Sequence, residues 1–134
     1  MSVQQIFISH AASDREWARA FVAEMRQLGA NVWFDETNIG PGDSISDSLE
    51  KALRESDVVV LPVTRESLNN SNFFFELRAA MSMNKKVIPI VSEDVDYSQL
   101  PVSLSRVSVL KRKPPRDTAE ELVKALKIPR DEAA

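Results

Sequence analysis

The sequence contains no cysteine, a single histidine and only three glycines among its 134 residues. Without cysteine, the chain can form no disulfide, no thiolate nucleophile and no cysteine-based metal site. One histidine is too few for an ordinary zinc site, so we expect no metal. The glycines are Gly29, Gly40 and Gly42, and their spacing matches neither the dinucleotide fingerprint nor the phosphate-binding P-loop.

The chain also lacks an apolar run long enough to cross a bilayer, and no basic segment precedes an apolar core near Met1. The formal net charge is −3, so the chain has no excess of positive charge to attract nucleic acid. We therefore expect a cytoplasmic protein with no membrane partner and no direct nucleic-acid partner.

What the sequence does contain is enough apolar material for one folded domain. Hydrophobic residues make up 43% of the chain, and its length is close to the commonest domain size, so we expect one domain over residues 1–134. Strand-like and helix-like segments alternate five times, which predicts an α/β sandwich with a parallel sheet and helices on both faces. The predicted strands cover residues 5–9, 31–35, 58–61, 87–91 and 107–110.

Local signals predict where several elements begin and end. Gly29 should end the first helix by adopting a left-handed conformation. Capping boxes are predicted at Ser13 to Glu16 and at Thr118 to Glu121, each at the start of a helix. Pro89 lies inside the fourth strand and has no backbone N–H, so pairing there should be irregular or one-sided.

One acidic residue stands out because of its neighbours. Residues 70–81 read as a helix whose apolar face is formed by Phe74, Leu77 and Met81. Glu76 lies near the N-terminus of this helix, and none of the residues three or four positions away is a cation. Two interpretations follow: an ordinary solvated glutamate beside a core face, or a carboxylate in the floor of a pocket.

The predicted topology brings several polar residues together. Ligands of open parallel sheets bind beyond the carboxyl ends of the strands, near the point where the strand order reverses. In this chain that edge receives His10, Asp35, the loop 40–44 and the segment leading to Glu76. His10 also has a structural interpretation, and Asp35 could simply begin a turn, so both alternatives stay open at this point.

Taken together, five stretches resemble the TIR domain (Toll/interleukin-1 receptor), in its bacterial form. They are residues 6–10 followed by Ser13 and Asp14, residues 32–35 with 40–45, residues 56–61, residues 71–77 and residues 87–90. The resemblance extends from about Val3 to Leu126, and it rests on the order and spacing of the stretches.

The resemblance implies a flavodoxin-like sandwich with five parallel strands in the order 2-1-3-4-5. It also implies one of two functions. The first is an NAD+ nucleosidase or cyclase in bacterial immune or stress signalling, which cleaves the nicotinamide–ribose bond and is activated by self-association. NAD+ would then be a substrate, and no cofactor is expected. The alternative is a non-enzymatic adaptor that works through contacts between TIR domains.

The family pattern further implies roles for individual residues. Glu76 matches the catalytic glutamate, and the predicted substrate-binding residues are His10, Asp35, Ile45, Asn72 and Phe73. The loop that packs on a neighbouring molecule, by head-to-tail assembly, would comprise Ile39, Gly40, Pro41, Gly42 and Asp43. In one departure, Asn72 occupies the position where the family often has tryptophan, so an aromatic cover for nicotinamide would come from Phe73 or elsewhere.

Overall fold

The computed structural model describes residues 4–8, 15–34, 40–42, 45–69, 71–104 and 107–127. The strands are β1 (Gln5–Ile8), β2 (Asn31–Phe34), β3 (Val58–Val63), β4 (Lys86–Val91) and β5 (Leu110–Lys111). The helices are α1 (Arg15–Gln27), α2 (Ile45–Glu55), α3 (Ser71–Ser82) and α4 (Pro115–Ala125). Short 3-10 turns occupy Ser67–Asn69, Tyr97–Gln99 and Val102–Leu104.

The five strands form one parallel sheet in the order β2-β1-β3-β4-β5. This order confirms the predicted fold. β3 lies at the centre, pairing with β1 at its start and with β4 along its whole length. All six residues of β3 are buried, as expected of a strand that is covered on both faces.

Two hydrophobic clusters cover the two faces of the sheet. Ile6 and Ile8 of β1 pack in one cluster with α1 and α4, whereas Phe7 packs in the other cluster with α2 and α3. The split follows from the alternation of side chains along a strand. Helices α2 and α3 therefore lie together on one face, and α3 carries Glu76.

The first helix ends as predicted, but the last helix starts differently. Gly29 has φ of 91°, the left-handed conformation that stops α1, while Ser13 lies outside the described residues. The predicted capping box at Thr118 is wrong, because α4 already begins at Pro115. The Thr118 hydroxyl instead accepts the Lys113 N–H at 2.9 Å and donates to the Lys113 carbonyl at 3.0 Å.

The last strand is shorter and later than the sequence predicts. β5 covers only Leu110–Lys111, whereas the prediction was residues 107–110. The reason is local, because the Val107 N–H donates to the Leu104 carbonyl at 3.3 Å and so extends the preceding turn. β5 pairs with Ile90 and Val91, whereas Pro89 pairs only with β3. One-sided pairing at Pro89 is therefore confirmed.

Candidate active site

The topology defines one edge of the sheet as the place for a ligand. β1, β2 and β3 are parallel, so Ile8, Phe34 and Val63 end at the same edge, called here the carboxyl edge. The strand order reverses between β1 and β3, which is where open α/β sheets form a binding crevice. α3 follows β3 through a short turn, so its first residues also lie at this edge.

Glu76 lies on the buried side of α3. The buried apolar residues of this helix are Phe73, Leu77 and Ala80, not the predicted set of Phe74, Leu77 and Met81. Phe74 and Met81 only flank this face. Glu76 comes one position before Leu77, and it is only 8% exposed. The interpretation as a solvated surface glutamate is therefore wrong.

Glu76 is packed within the first half of α3. It lies five residues after Ser71, which places it about 7–8 Å along the helix axis from the start of α3. Its Oε2 atom is buried and accepts no hydrogen bond from the described residues, although the residue makes another contact. A carboxylate held in this way can stabilise positive charge on a bound molecule, because low solvent exposure strengthens its electrostatic field.

Phe73 is 4% exposed, and its ring packs edge-on against Phe74 with centroids 5.2 Å apart. A ring buried in this way can form a wall of the site, but it offers no open face for stacking. Among the three consecutive phenylalanines, Phe75 is the exposed one, at 65%. An aromatic cover for a bound base therefore has to come from a residue other than Phe73.

The structure describes the other predicted site residues only in part. His10, Asp35, Ile39 and Asp43 lie outside the described residues, so their roles stay predictions. Ile45 is the first residue of α2 and Asn72 is the second residue of α3, which places both near the carboxyl edge. The loop residues Gly40–Gly42 follow β2 at this edge, and Gly42 has φ of 86°, a conformation that favours glycine.

A cleft of about 830 Å³ also opens at the carboxyl edge, beyond β3, β4 and β5. Its described lining includes Trp17, Thr64, Ser92 and Arg112, but not Glu76. The Arg112 guanidinium lies 4.8 Å from the centre of the Trp17 ring and occupies one of its faces. Three basic and three acidic side chains line this cleft, so its charge favours neither anions nor cations.

Sequence reasoning missed one part of the site, the turn that joins β3 to α3. It gave no role to Thr64 or Ser67. Both are buried, at 6% and 1% exposure, and they are joined by hydrogen bonds. The spacing Thr-x-x-Ser directly after a buried strand was the available signal, because such hydroxyls readily bond to nearby backbone groups.

Comparison with known families agrees with this geometry. The family model described as TIR domain matches residues 6–127. The chain belongs to the TIR domain family. Within this TIR domain, the match covers the sheet from the second residue of β1 onward, the loop at Gly40–Gly42 and the helix that carries Glu76.

Named relatives of this TIR domain occur in bacteria. It is 36% identical over 103 residues to the 2' cyclic ADP-D-ribose synthase AbTIR of Acinetobacter baumannii, covering 69% of this chain and 38% of that protein. It is 32% identical over 90 residues to the NAD(+) hydrolase TcpC of Escherichia coli, covering 63% of this chain and 29% of that protein. The chain thus spans well under half the length of these relatives.

A solved structure supports the fold of this TIR domain. The TIR domain of the Toll-related receptor TRR-2 from Hydra magnipapillata superimposes with a TM-score of 0.70 at 18% identity, covering 90% of this chain and 89% of that one. Among the described helices of the TIR domain, none has the length and apolar character needed to span a membrane. The described residues also contain no group of three or more histidine or acidic side chains suited to a metal ion.

Proposed function

We propose that this TIR domain cleaves NAD+ at the bond between nicotinamide and ribose, with Glu76 as the catalytic carboxylate. The observation that carries this proposal is the burial of Glu76 in the first half of α3, the helix that follows the carboxyl end of β3. The names of the two bacterial relatives support NAD+ as the substrate. NAD+ is consumed in this reaction and is not retained as a cofactor.

The chemistry needs few groups from the protein. Nicotinamide in NAD+ carries a positive charge, and when the bond from its ring nitrogen to the ribose C1' breaks, the electron pair stays on that nitrogen. The leaving group is therefore neutral, and no general acid is required. The ribose acquires oxocarbenium character, which the negative charge of Glu76 stabilises. Water then adds to C1' and releases a proton, or a nucleophile of the same molecule closes a ring.

We further propose that the domain assembles head to tail, with loop 39–43 of one copy on an apolar groove of the next. The groove has a volume of about 520 Å³ and lies near the start of β4 and β5, at the edge opposite the loop. Met81, Val109 and Leu126 are among its lining residues. Since loop and groove lie at opposite ends of the sheet, each copy can use both, and the contact can propagate.

The residues of the two surfaces suit each other. In sequence, the loop contains the apolar residues Ile39 and Pro41 and the acidic residue Asp43, and the lining of the apolar groove includes the basic residue Lys86. Packing of the loop on a neighbour would exclude water from the adjacent site, where the field of Glu76 then counts for more. In this proposal, assembly activates the enzyme. Activity that depends on assembly can be switched on by a signal, so the domain would act in bacterial immune or stress signalling in the cytoplasm.

Incubation of the purified chain with NAD+, followed by chromatography, tests the activity. We expect equimolar nicotinamide release, with ADP-ribose or a cyclic isomer as the second product. Specific activity should rise with protein concentration, in parallel with light scattering. If NAD+ stays intact even where scattering shows large assemblies, the adaptor function replaces the enzymatic one.

The assembly model has a sharper test in two substitutions. Gly42→Arg alters the loop, and a side chain there meets open space, although φ of 86° costs about 1–2 kcal/mol for any other residue. Gly42→Ala is the matched control, because it shares this strain without the bulk and charge. Ser108→Arg blocks the groove from an exposed position.

At protein concentrations where the wild type assembles, either arginine variant alone should be monomeric and weakly active, whereas Gly42→Ala should assemble and turn over NAD+ like the wild type. In a mixture of the two variants, Ser108→Arg contributes an intact loop and Gly42→Arg contributes an intact groove. It should therefore form dimers that stop growing, with partly restored activity. Full activity in both arginine variants at concentrations where they are monomeric would refute the head-to-tail model.

A further inference from the structure

The turn between β3 and α3 contains two buried hydroxyl groups that bond to each other's backbone. The Thr64 N–H donates to Ser67 Oγ at 2.7 Å, and the Ser67 N–H donates to Thr64 Oγ1 at 3.1 Å. The Ser67 hydroxyl donates in turn to the Thr64 carbonyl oxygen at 2.9 Å. These three hydrogen bonds form a closed unit, called here the Thr64–Ser67 box.

The Thr64–Ser67 box connects the most buried strand to the helix that carries Glu76. On the side of the sheet, the Ser92 N–H donates to the Val63 carbonyl at 2.9 Å, which fixes the end of β3 to β4. On the side of the helix, α3 begins at Ser71 and packs against β3, β4 and the 3-10 turn. The box therefore sets the direction in which the chain leaves the sheet and enters α3.

A turn that only needed to fill space could have used apolar side chains at these two buried positions. An apolar side chain at 1% exposure would contribute packing without the cost of removing a hydroxyl from water. Hydrogen bonds of this kind form only over a narrow range of backbone geometry. The hydrogen bonds of the Thr64–Ser67 box therefore fix the position of the backbone in this turn. A catalytic carboxylate requires its own position to be held within about 0.5 Å.

We propose that Thr64 and Ser67 are positioning residues for Glu76, which fix the start of α3 so that the carboxylate reaches the ribose of NAD+. This inference rests on the proposed function, since it assigns Glu76 the central role. A catalytic group displaced by 1 Å can lose about 100-fold in rate. Loss of the box should therefore lower kcat by about 10- to 100-fold while KM changes less than about twofold.

Three substitutions separate positioning from folding. Ser67→Ala removes two of the three hydrogen bonds, and Thr64→Val removes the third while keeping the shape of the side chain. Both should show the loss in kcat. Thr64→Ser keeps the hydroxyl and should retain wild-type kcat. Thr64→Ser and Thr64→Val differ in whether the side chain keeps its hydroxyl oxygen. A general loss of packing would not lower kcat in Thr64→Val while leaving it unchanged in Thr64→Ser.

Thr118→Val provides a matched control. Thr118 is 0% exposed, and its hydroxyl bonds to the backbone of Lys113 at the start of α4, on the other face of the sheet. This variant should lose stability to urea to a similar degree as Thr64→Val, yet keep wild-type kcat. An equal loss of kcat in Thr118→Val would show that destabilisation alone explains the effect, and would overturn the inference.

The kinetics of Glu76→Gln distinguish the two proposals. If Glu76→Gln is inactive while Ser67→Ala and Thr64→Val keep wild-type kcat, the positioning role is wrong and the proposed function stands. If Glu76→Gln keeps wild-type kcat, NAD+ is cleaved without Glu76, so its catalytic role is wrong and the positioning role falls with it. Loss of kcat in Ser67→Ala and Thr64→Val, with rescue in Thr64→Ser, supports the inference.

Discussion

Replacing Glu76 by glutamine removes one negative charge from a site that is 8% exposed and changes little else. Glutamine has almost the same volume and keeps hydrogen-bonding atoms at the same positions. Two unit charges about 4 Å apart interact by about 4 kcal/mol at the effective dielectric constant of roughly 20 that suits partly buried sites. Only part of a unit charge develops on the ribose, so we take this value as the upper limit.

A loss of about 3–4 kcal/mol in transition-state stabilisation corresponds to about 10²- to 10³-fold in kcat. The assay is the initial rate of nicotinamide release at saturating NAD+, quantified by chromatography over at least four decades of rate. Glu50→Gln serves as the control, because Glu50 is an exposed helical glutamate on α2. It should keep its rate within twofold.

Folding must be checked in parallel, since a buried residue is being changed. We expect the urea-unfolding free energy of Glu76→Gln to stay within about 1 kcal/mol of the wild type, because volume-conserving changes are tolerated well. A folded Glu76→Gln variant that releases nicotinamide within threefold of the wild-type rate would refute the electrostatic role of Glu76.

Three further predictions concern other features of the domain. Asn72→Trp restores the aromatic residue that the family often has near the start of α3 and should raise kcat in the nicotinamide-release assay; an equal or lower rate in a folded variant would contradict this. Phe73→Ala should lower the urea-unfolding free energy by about 3–5 kcal/mol because Phe73 is 4% exposed, whereas Phe75→Ala, at 65% exposure, should change it by less than about 0.5 kcal/mol. Hydrogen bonds from Ser98 hold the pKa of Asp96 below its ordinary value of 3.8. The stability that Asp96 contributes should therefore be present above pH 3.8 and be lost as the pH falls through its lowered pKa, so the difference in unfolding free energy between wild type and Asp96→Ala should shrink in acid.

The sheet could be predicted because its signals are local and strong. Val58 to Leu61 form a continuous apolar run, and Gly29 marks the end of α1 by a property of its own backbone. The predicted start of β5 failed for a different reason. The apolar residues Val107 and Val109 suit a strand as well as a packed turn, and the bond from Val107 to Leu104 decides between them.

The burial of Glu76 could not be predicted, because three consecutive phenylalanines precede it. Phe73, Phe74 and Phe75 allow the apolar face of α3 to be drawn in more than one orientation. Periodicity selected a face through Phe74, whereas packing against the sheet selects the face through Phe73 and Leu77. That choice depends on β3 and β4, which are distant in sequence, and it determines whether Glu76 meets solvent or the core.

The way in which α3 is held constrains how assembly can control activity. Phe73, Leu77 and Ala80 fix the helix in the core, so a neighbouring copy could displace Glu76 only by unpacking them. Removing a large side chain from this core lowers the free energy of unfolding by several kcal/mol. The strongest single residue at a protein interface contributes about the same amount of binding energy. Assembly should therefore act through the loop 39–43 and leave Glu76 in place.

It follows that Glu76→Gln lowers the rate at every protein concentration, including the maximal rate of the assembled protein. Gly42→Arg instead raises the protein concentration that is needed to reach the maximal rate. Equal loss of the maximal rate in fully assembled Gly42→Arg would contradict this division of roles.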